Sequence, residues 1–150
     1  MAPATGSSST TAQGAGEQLA TSLDGQRILA QGRGWIGTEY LSGGATRSGV
    51  DCSHFVWKVY GEAGLPYSYA STGSFVASLV VAPGKPPKPG QKFRRVTVPQ
   101  DGDVVLYSGH MGLYVSADRT VLSARSSSAG VSYGQSSWFG SVLGYYRYIK

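Results

Sequence analysis

An α+β domain, with helices first and a small antiparallel sheet second, is predicted by two changes of pattern along the chain. Between Asp51 and Gly64 apolar residues fall at 55, 56, 59, 60 and 63, the spacing of one helical face. From Phe93 onward the period shortens to two, in Val96 and Val98, then Val104 to Tyr107, then Met111 to Val115. Twenty-two glycines suit such a mixed fold of short strands and tight turns better than a helical bundle. At 150 residues the chain has the size of one domain that can bury a core without staples.

Residues 1–16 hold mostly Ser, Thr, Ala and Gly with almost no charge, and are expected to form a flexible tail or tether ahead of a single domain over 17–150. Leu23, Ile28 and Leu29, with Asp24 among them, predict a short helix ending near Gly32 and Gly34. Trp35 to Gly44 reads as a glycine-rich aromatic loop. Asp51 stands at the N-cap of the next helix, so Cys52 falls in its first turn, where unpaired amides and the positive helix end stabilise a thiolate. Gly64 supplies the stop. A second helix is expected around Phe75 to Val80, and the four prolines between Ala82 and Gly90 then enforce a surface loop. Ser108-Gly109 marks a hairpin turn that sets His110 at the start of the returning strand. Val121-Leu122 is read as the next strand and Tyr145 to Ile149 as the closing one.

Composition excludes several classes of function. A single cysteine rules out an internal disulfide framework and a cysteine-rich metal site. With two histidines and no His-Glu-x-x-His spacing, no catalytic metal and no cofactor are expected. No apolar run reaches the roughly 20 residues of a membrane span. The net charge of +5 favours anionic partners without choosing among them. Lys85, Lys88, Lys92, Arg94 and Arg95 are read first as a solvated loop and second as a steering patch. Trp35, Trp57 and Trp138 form no ladder for stacking bases, so nucleic acid is not an expected partner and the three are assigned to core or cleft walls.

Cys52 and His110 together match what a cysteine hydrolase needs: a thiolate nucleophile and an imidazole that shares and returns the proton. The stretches Gly37-Thr38-Glu39-Tyr40-Leu41-Ser42-Gly43-Gly44 and Gly49-Val50-Asp51-Cys52-Ser53 resemble the nucleophile region of NlpC-type cell-wall peptidases. Leu65-Pro66, Asp101 to Tyr107 and His110 to Val115 resemble the strand-and-histidine signature of the same family, and the match covers roughly residues 24 to 124. The order Cys then His resembles the unpermuted members.

The resemblance implies a papain-like fold and hydrolysis of an amide in peptidoglycan stem peptides, commonly between D-glutamate and a diamino acid such as diaminopimelate. It implies Cys52 as nucleophile, His110 as base, and Tyr40, Asp51 and Ser53 as the pocket for the free amino end of the stem. Each of these three has a structural alternative: packing for Tyr40, capping for Asp51, and a first-turn hydrogen bond for Ser53. His54 stands where the family usually has glycine and would form a bulkier pocket wall; two residues past Cys52 on a helix, it points away from the thiol. The third catalytic position falls on Ser123, with a Cys-His dyad and a backbone orienter as the alternative. The expected partner is the stem peptide, with the tail as a membrane tether or a link to an envelope partner. A monomer acting in the periplasm or after secretion is expected. A noncatalytic wall-binding module, an amidase cutting between glycan and peptide, and an antibacterial effector of the same fold are the other readings.

Overall fold

The computed structural model describes residues 16–150, so all but the last residue of the expected tail lies outside the described residues. Helix α1 spans Ser22–Arg33 and starts in a capping box, in which Thr21 accepts from the Asp24 amide while the Asp24 carboxylate accepts from the Thr21 amide. Its inward face is Ile28 and Leu29; Leu23, counted on that face from the sequence, is exposed. Two short strands, β1 (Ala45–Thr46) and β2 (Gly49–Val50), form a small hairpin just before the cysteine, which the glycine-rich sequence there did not reveal.

Helix α2, Cys52–Glu62, begins at the predicted Asp51 cap, whose carboxylate accepts from the His54 amide. Gly64, in the left-handed region at φ +83, follows its last turn. Phe55, Val56, Val59 and Tyr60 are buried along one face and pack α2 against the sheet. Helix α3, Phe75–Leu79, lies where the second helix was expected.

The sheet holds β3 (Phe93–Val96), β4 (Val104–Tyr107), β5 (His110–Val115), β6 (Thr120–Ala124), β7 (Val131–Gln135) and β8 (Gly144–Tyr148), in the order β3-β8-β4-β5-β6-β7 with antiparallel neighbours throughout. The last strand therefore does not close an edge; it inserts between β3 and β4. Val98 lies beyond β3 and is exposed. Strand β7 was missed because Val-Ser-Tyr-Gly-Gln lacks an apolar alternation strong enough to mark a strand.

The segment Asp101-Gly102-Asp103 ties these layers together. Buried Tyr60 of α2 donates to the Gly102 carbonyl at 2.6 Å, Gln26 of α1 donates to Asp101, and Arg147 of β8 donates to both oxygens of buried Asp103 at 2.7 and 3.0 Å. Gly102 has φ +86, and a Cβ there would stand 2.9 Å from the Gly25 carbonyl oxygen, so only glycine lets α1 approach this turn.

The basic run does not act as one patch. Arg94, 1% exposed, is locked in a bidentate pair with Glu17 at 2.7 and 2.9 Å, and Lys92 lies over the Tyr148 ring. Trp35 is core and Trp57 half-buried, whereas Trp138 is 59% exposed and lies outside the core.

Candidate active site

Cys52 is the first residue of α2, is 8% exposed, and has its sulfur 3.5 Å from Thr72 Oγ1. The loop leading into it is fastened to one end of the sheet by Gly37 N donating to the Val131 carbonyl and Val131 N donating to the Thr38 carbonyl. That end is where β7 begins, β6 finishes and, by the antiparallel register, β5 starts with His110. Since α2 packs directly on β5 and β6, nucleophile and base candidates stand at the same end of the molecule.

His110 Nε2 lies 3.0 Å from Ser123 Oγ, and Phe139 stacks on the imidazole at 4.4 Å with 20° between planes. One ring nitrogen is thus engaged and the ring plane is clamped, which leaves Nδ1 for proton transfer. Burial, with help from the Arg125 charge, pushes the imidazole down to about 4, so His110 is neutral at pH 7.

Around the helix N-terminus, Asp51 accepts at Oδ1 from the His54 amide at 2.9 Å and the Ser53 hydroxyl at 3.3 Å, pairs there with His54 Nδ1 at 2.8 Å, and accepts at Oδ2 from the Gly43 amide at 2.8 Å. Burial raises its carboxyl, but these donors outweigh burial and hold it below the usual range. His54 is stacked on Tyr69 at 4.0 Å, with Trp57 edge-on to both, and Tyr69 shares a 2.7 Å hydrogen bond with Ser53. Tyr40 pairs through its backbone with Val50; burial, then the nearby Cys52 and Asp51, raises its hydroxyl.

Five of the seven residues singled out from sequence are thereby linked in two groups: Asp51, Ser53 and His54 in one hydrogen-bonded cluster next to Cys52 in the chain, and His110 with Ser123 in the other. Tyr40 joins the first group through the electrostatic influence of Cys52 and Asp51. Thr72, Tyr69 and Phe139 were not singled out, because each arrives from a loop or a short 3-10 turn that carries no periodic signal. Among the described residues no cluster of His, Cys, Asp or Glu is arranged to hold a metal ion, and no helix is long and apolar enough to cross a membrane. A groove of about 960 Å³ under the proline loop is lined by Val76, Val80, Arg95 and Tyr146 among others, and includes neither Cys52 nor His110.

Comparison with known proteins places this arrangement. Over 101 residues the chain is 28% identical to the probable peptidoglycan endopeptidase LytE of Bacillus subtilis (strain 168), covering 63% of this chain and 26% of that protein. Over 122 residues it is 28% identical to the murein DD-endopeptidase MepS/murein LD-carboxypeptidase of Escherichia coli (strain K12), covering 77% of this chain and 58% of the relative. The chain thus spans about a quarter to three-fifths of the length of these relatives. Its fold is shared with the NlpC/p60 domain of the peptidoglycan hydrolase SagA, with a TM-score of 0.58 and 22% identity over 83% of this chain and 97% of that one. A structure of an NlpC/P60 family protein from Bacillus cereus superposes with a TM-score of 0.63 at 18% identity, over 84% of this chain and 40% of that one. The NlpC/P60 family model matches residues 37–144, the span that carries α2, Cys52, His110 and Ser123, and the chain belongs to the NlpC/P60 family, with its α+β papain-like fold.

Proposed function

We propose that the chain is a cysteine hydrolase that cleaves an amide bond in peptidoglycan stem peptides, between D-glutamate and the diamino acid, outside the cytoplasm. The observation that carries the reading is the imidazole of His110, fixed by Ser123 Oγ at 3.0 Å and by the Phe139 ring, at the sheet end to which the loop before Cys52 is tied. Family membership and relatives named as peptidoglycan endopeptidases support the substrate class.

In the reaction, the Cys52 thiol gives its proton to His110 and the sulfur attacks the scissile carbonyl. The oxyanion forms beside the first turn of α2, where the Cys52 amide has no intrahelical partner. His110 passes the proton to the departing amine and then takes one from water, which clears the thioester. Ser123 keeps the ring oriented, acting through His110 and not on the substrate. Asp51, Ser53, Tyr40 and His54 line the side that receives the amino end of the stem. The stem peptide is the partner, one copy of the chain forms the site, and the residues ahead of 17 serve as a tether.

The test is digestion of purified peptidoglycan by the wild type and Cys52→Ala, with fragments identified by mass. New ends at D-glutamate, in the wild type alone, are expected. Ends at D-alanine would assign the bond in the name of the Escherichia coli relative, and release of whole stems from the glycan would make the protein an amidase. Intact wall that pulls down the protein without being cut would replace the hydrolase with a binding module.

A further inference from the structure

The segment that follows α2 returns across the first turn of that helix and is pinned there at two points. Tyr69 shares a 2.7 Å hydrogen bond with Ser53 and stacks on His54 at 4.0 Å, and Thr72 Oγ1 lies 3.5 Å from the Cys52 sulfur. The chain is braced directly behind Thr72. Residues Thr72–Ser74 form a 3-10 turn, the Ser71 and Ser74 hydroxyls share a 2.9 Å hydrogen bond, and wholly buried Phe75 packs on Phe93 of β3 at 4.9 Å. Thr72 itself is half-buried, and a β-branched side chain on a braced turn has little freedom at χ1, so the hydroxyl is kept beside the sulfur.

That contact is weak in the resting protein and changes character during the reaction. Among the described residues the sulfur is the only hydrogen-bond partner of the Thr72 hydroxyl, either atom can be the donor, and a thiol sulfur is a poor acceptor. Once Cys52 has given its proton to His110, the sulfur has none to offer and the hydroxyl is the donor. As the sulfur bonds to the scissile carbon, negative charge gathers on the carbonyl oxygen, two bonds from the sulfur. A donor resting beside the sulfur then meets a much stronger acceptor within reach, and an interaction that strengthens between ground state and transition state lowers the barrier.

We propose that Thr72 is a catalytic residue, its hydroxyl joining the Cys52 amide as the second donor of the oxyanion hole. The inference rests on the cysteine mechanism above. Thr72 loses neither proton nor electron pair: it keeps its hydrogen and only redirects it, from the sulfur to the oxyanion, in the tetrahedral intermediates that form and clear the thioester.

Two variants and two probes test it. Thr72→Val keeps the shape and removes the donor, whereas Thr72→Ser keeps the donor. On L-Ala-γ-D-Glu-diaminopimelate, Thr72→Val is expected to lower kcat by about a hundredfold with KM within about twofold, the loss that follows removal of one such donor, and Thr72→Ser is expected to retain most of the rate. The second probe is L-Ala-D-Glu with its γ-carboxyl replaced by an aldehyde, which adds to the Cys52 sulfur as a hemithioacetal and needs no turnover. Calorimetry is expected to give an affinity about tenfold weaker in Thr72→Val and close to wild type in Thr72→Ser, since the adduct oxygen carries less charge than the oxyanion. An unchanged kcat in Thr72→Val, a loss confined to KM, or a loss that Thr72→Ser shares in full overturns the assignment. So does an equal slowing of Cys52 alkylation by iodoacetamide, a reaction that forms no oxyanion, because the hydroxyl would then serve the sulfur alone. A wild type that cuts no stem peptide yet binds the aldehyde in a Thr72-dependent way sinks the hydrolase and upholds the donor, whereas an aldehyde affinity unaltered in Thr72→Val sinks the donor.

Discussion

At the scale of the residue, the site depends on what surrounds two side chains. Cys52 and His110 were legible in the sequence because their neighbours set their local structure: Asp51 caps α2 and Ser108-Gly109 turns the hairpin. Ser123 and the Asp51–Ser53–His54 cluster were legible only as positions; the 3.0 Å bond to His110 and the four donors on Asp51 come from tertiary placement that spacing does not encode. His110→Ala and Cys52→Ala should each abolish hydrolysis with the fold retained, while Ser123→Ala should lower kcat by about tenfold, since an orienting hydroxyl contributes less than the base it holds. Purified variants assayed on a soluble stem peptide check both. The imidazole also leaves a mark on stability. Its value of about 4 in the folded chain lies below the 6.5 of the free side chain, so between those limits the unfolded state binds more protons. Stability is whole above pH 6.5 and falls, by on the order of 2–3 kcal/mol, as pH drops to about 4. Melting curves of the wild type and His110→Gln over that window should diverge, with the variant losing less. Parallel curves would mean that burial does not disfavour the charged ring.

At the scale of the element, α2 is the part whose sequence and structure agree most fully. Its cap, apolar face and glycine stop all point to one answer, which is why its limits were read closely. Strands β7 and β1–β2 show the opposite case: β1 and β2 are two residues each and β7 carries no apolar alternation, so their own sequences mark no strand; β1 and β2 are held by pairing with each other, and β7 by pairing with β6 and by the Thr38–Val131 hydrogen bond. Phe55 sits wholly buried between Trp35 and the sheet, in edge contact with the indole at 6.3 Å, and it seats the helix that presents Cys52. Phe55→Ala should cost about 3–5 kcal/mol by removing a buried ring and leaving a cavity. Chemical denaturation measures it, and a loss under 1 kcal/mol would show that α2 is held by other contacts.

At the scale of the whole molecule, the turn at Asp101-Gly102-Asp103 joins α1, α2 and β8, and the two ends of the domain are zipped by Ala20 N donating to the Tyr148 carbonyl and Lys150 N donating to the Gln18 carbonyl. Period and punctuation foretold a helical half and a sheet half. They did not foretell that the final strand enters the middle of the sheet, because strand order depends on long-range pairing that a local pattern does not carry. Asp103→Asn should destabilise the domain by about 3 kcal/mol, since it strands a buried guanidinium beside a neutral amide. Gly102→Ala should cost about 1–3 kcal/mol through its left-handed backbone and its approach to Gly25. Denaturant midpoints of the two variants check these values, and neither substitution touches Cys52 or His110.

The most direct measurement is the rate at which wild type and Cys52→Ala cleave one soluble stem peptide, L-Ala-γ-D-Glu-diaminopimelate, followed by mass spectrometry. The account predicts a dipeptide and free diamino acid from the wild type and no product from the folded variant. Equal product from both proteins would contradict a cysteine mechanism on this fold.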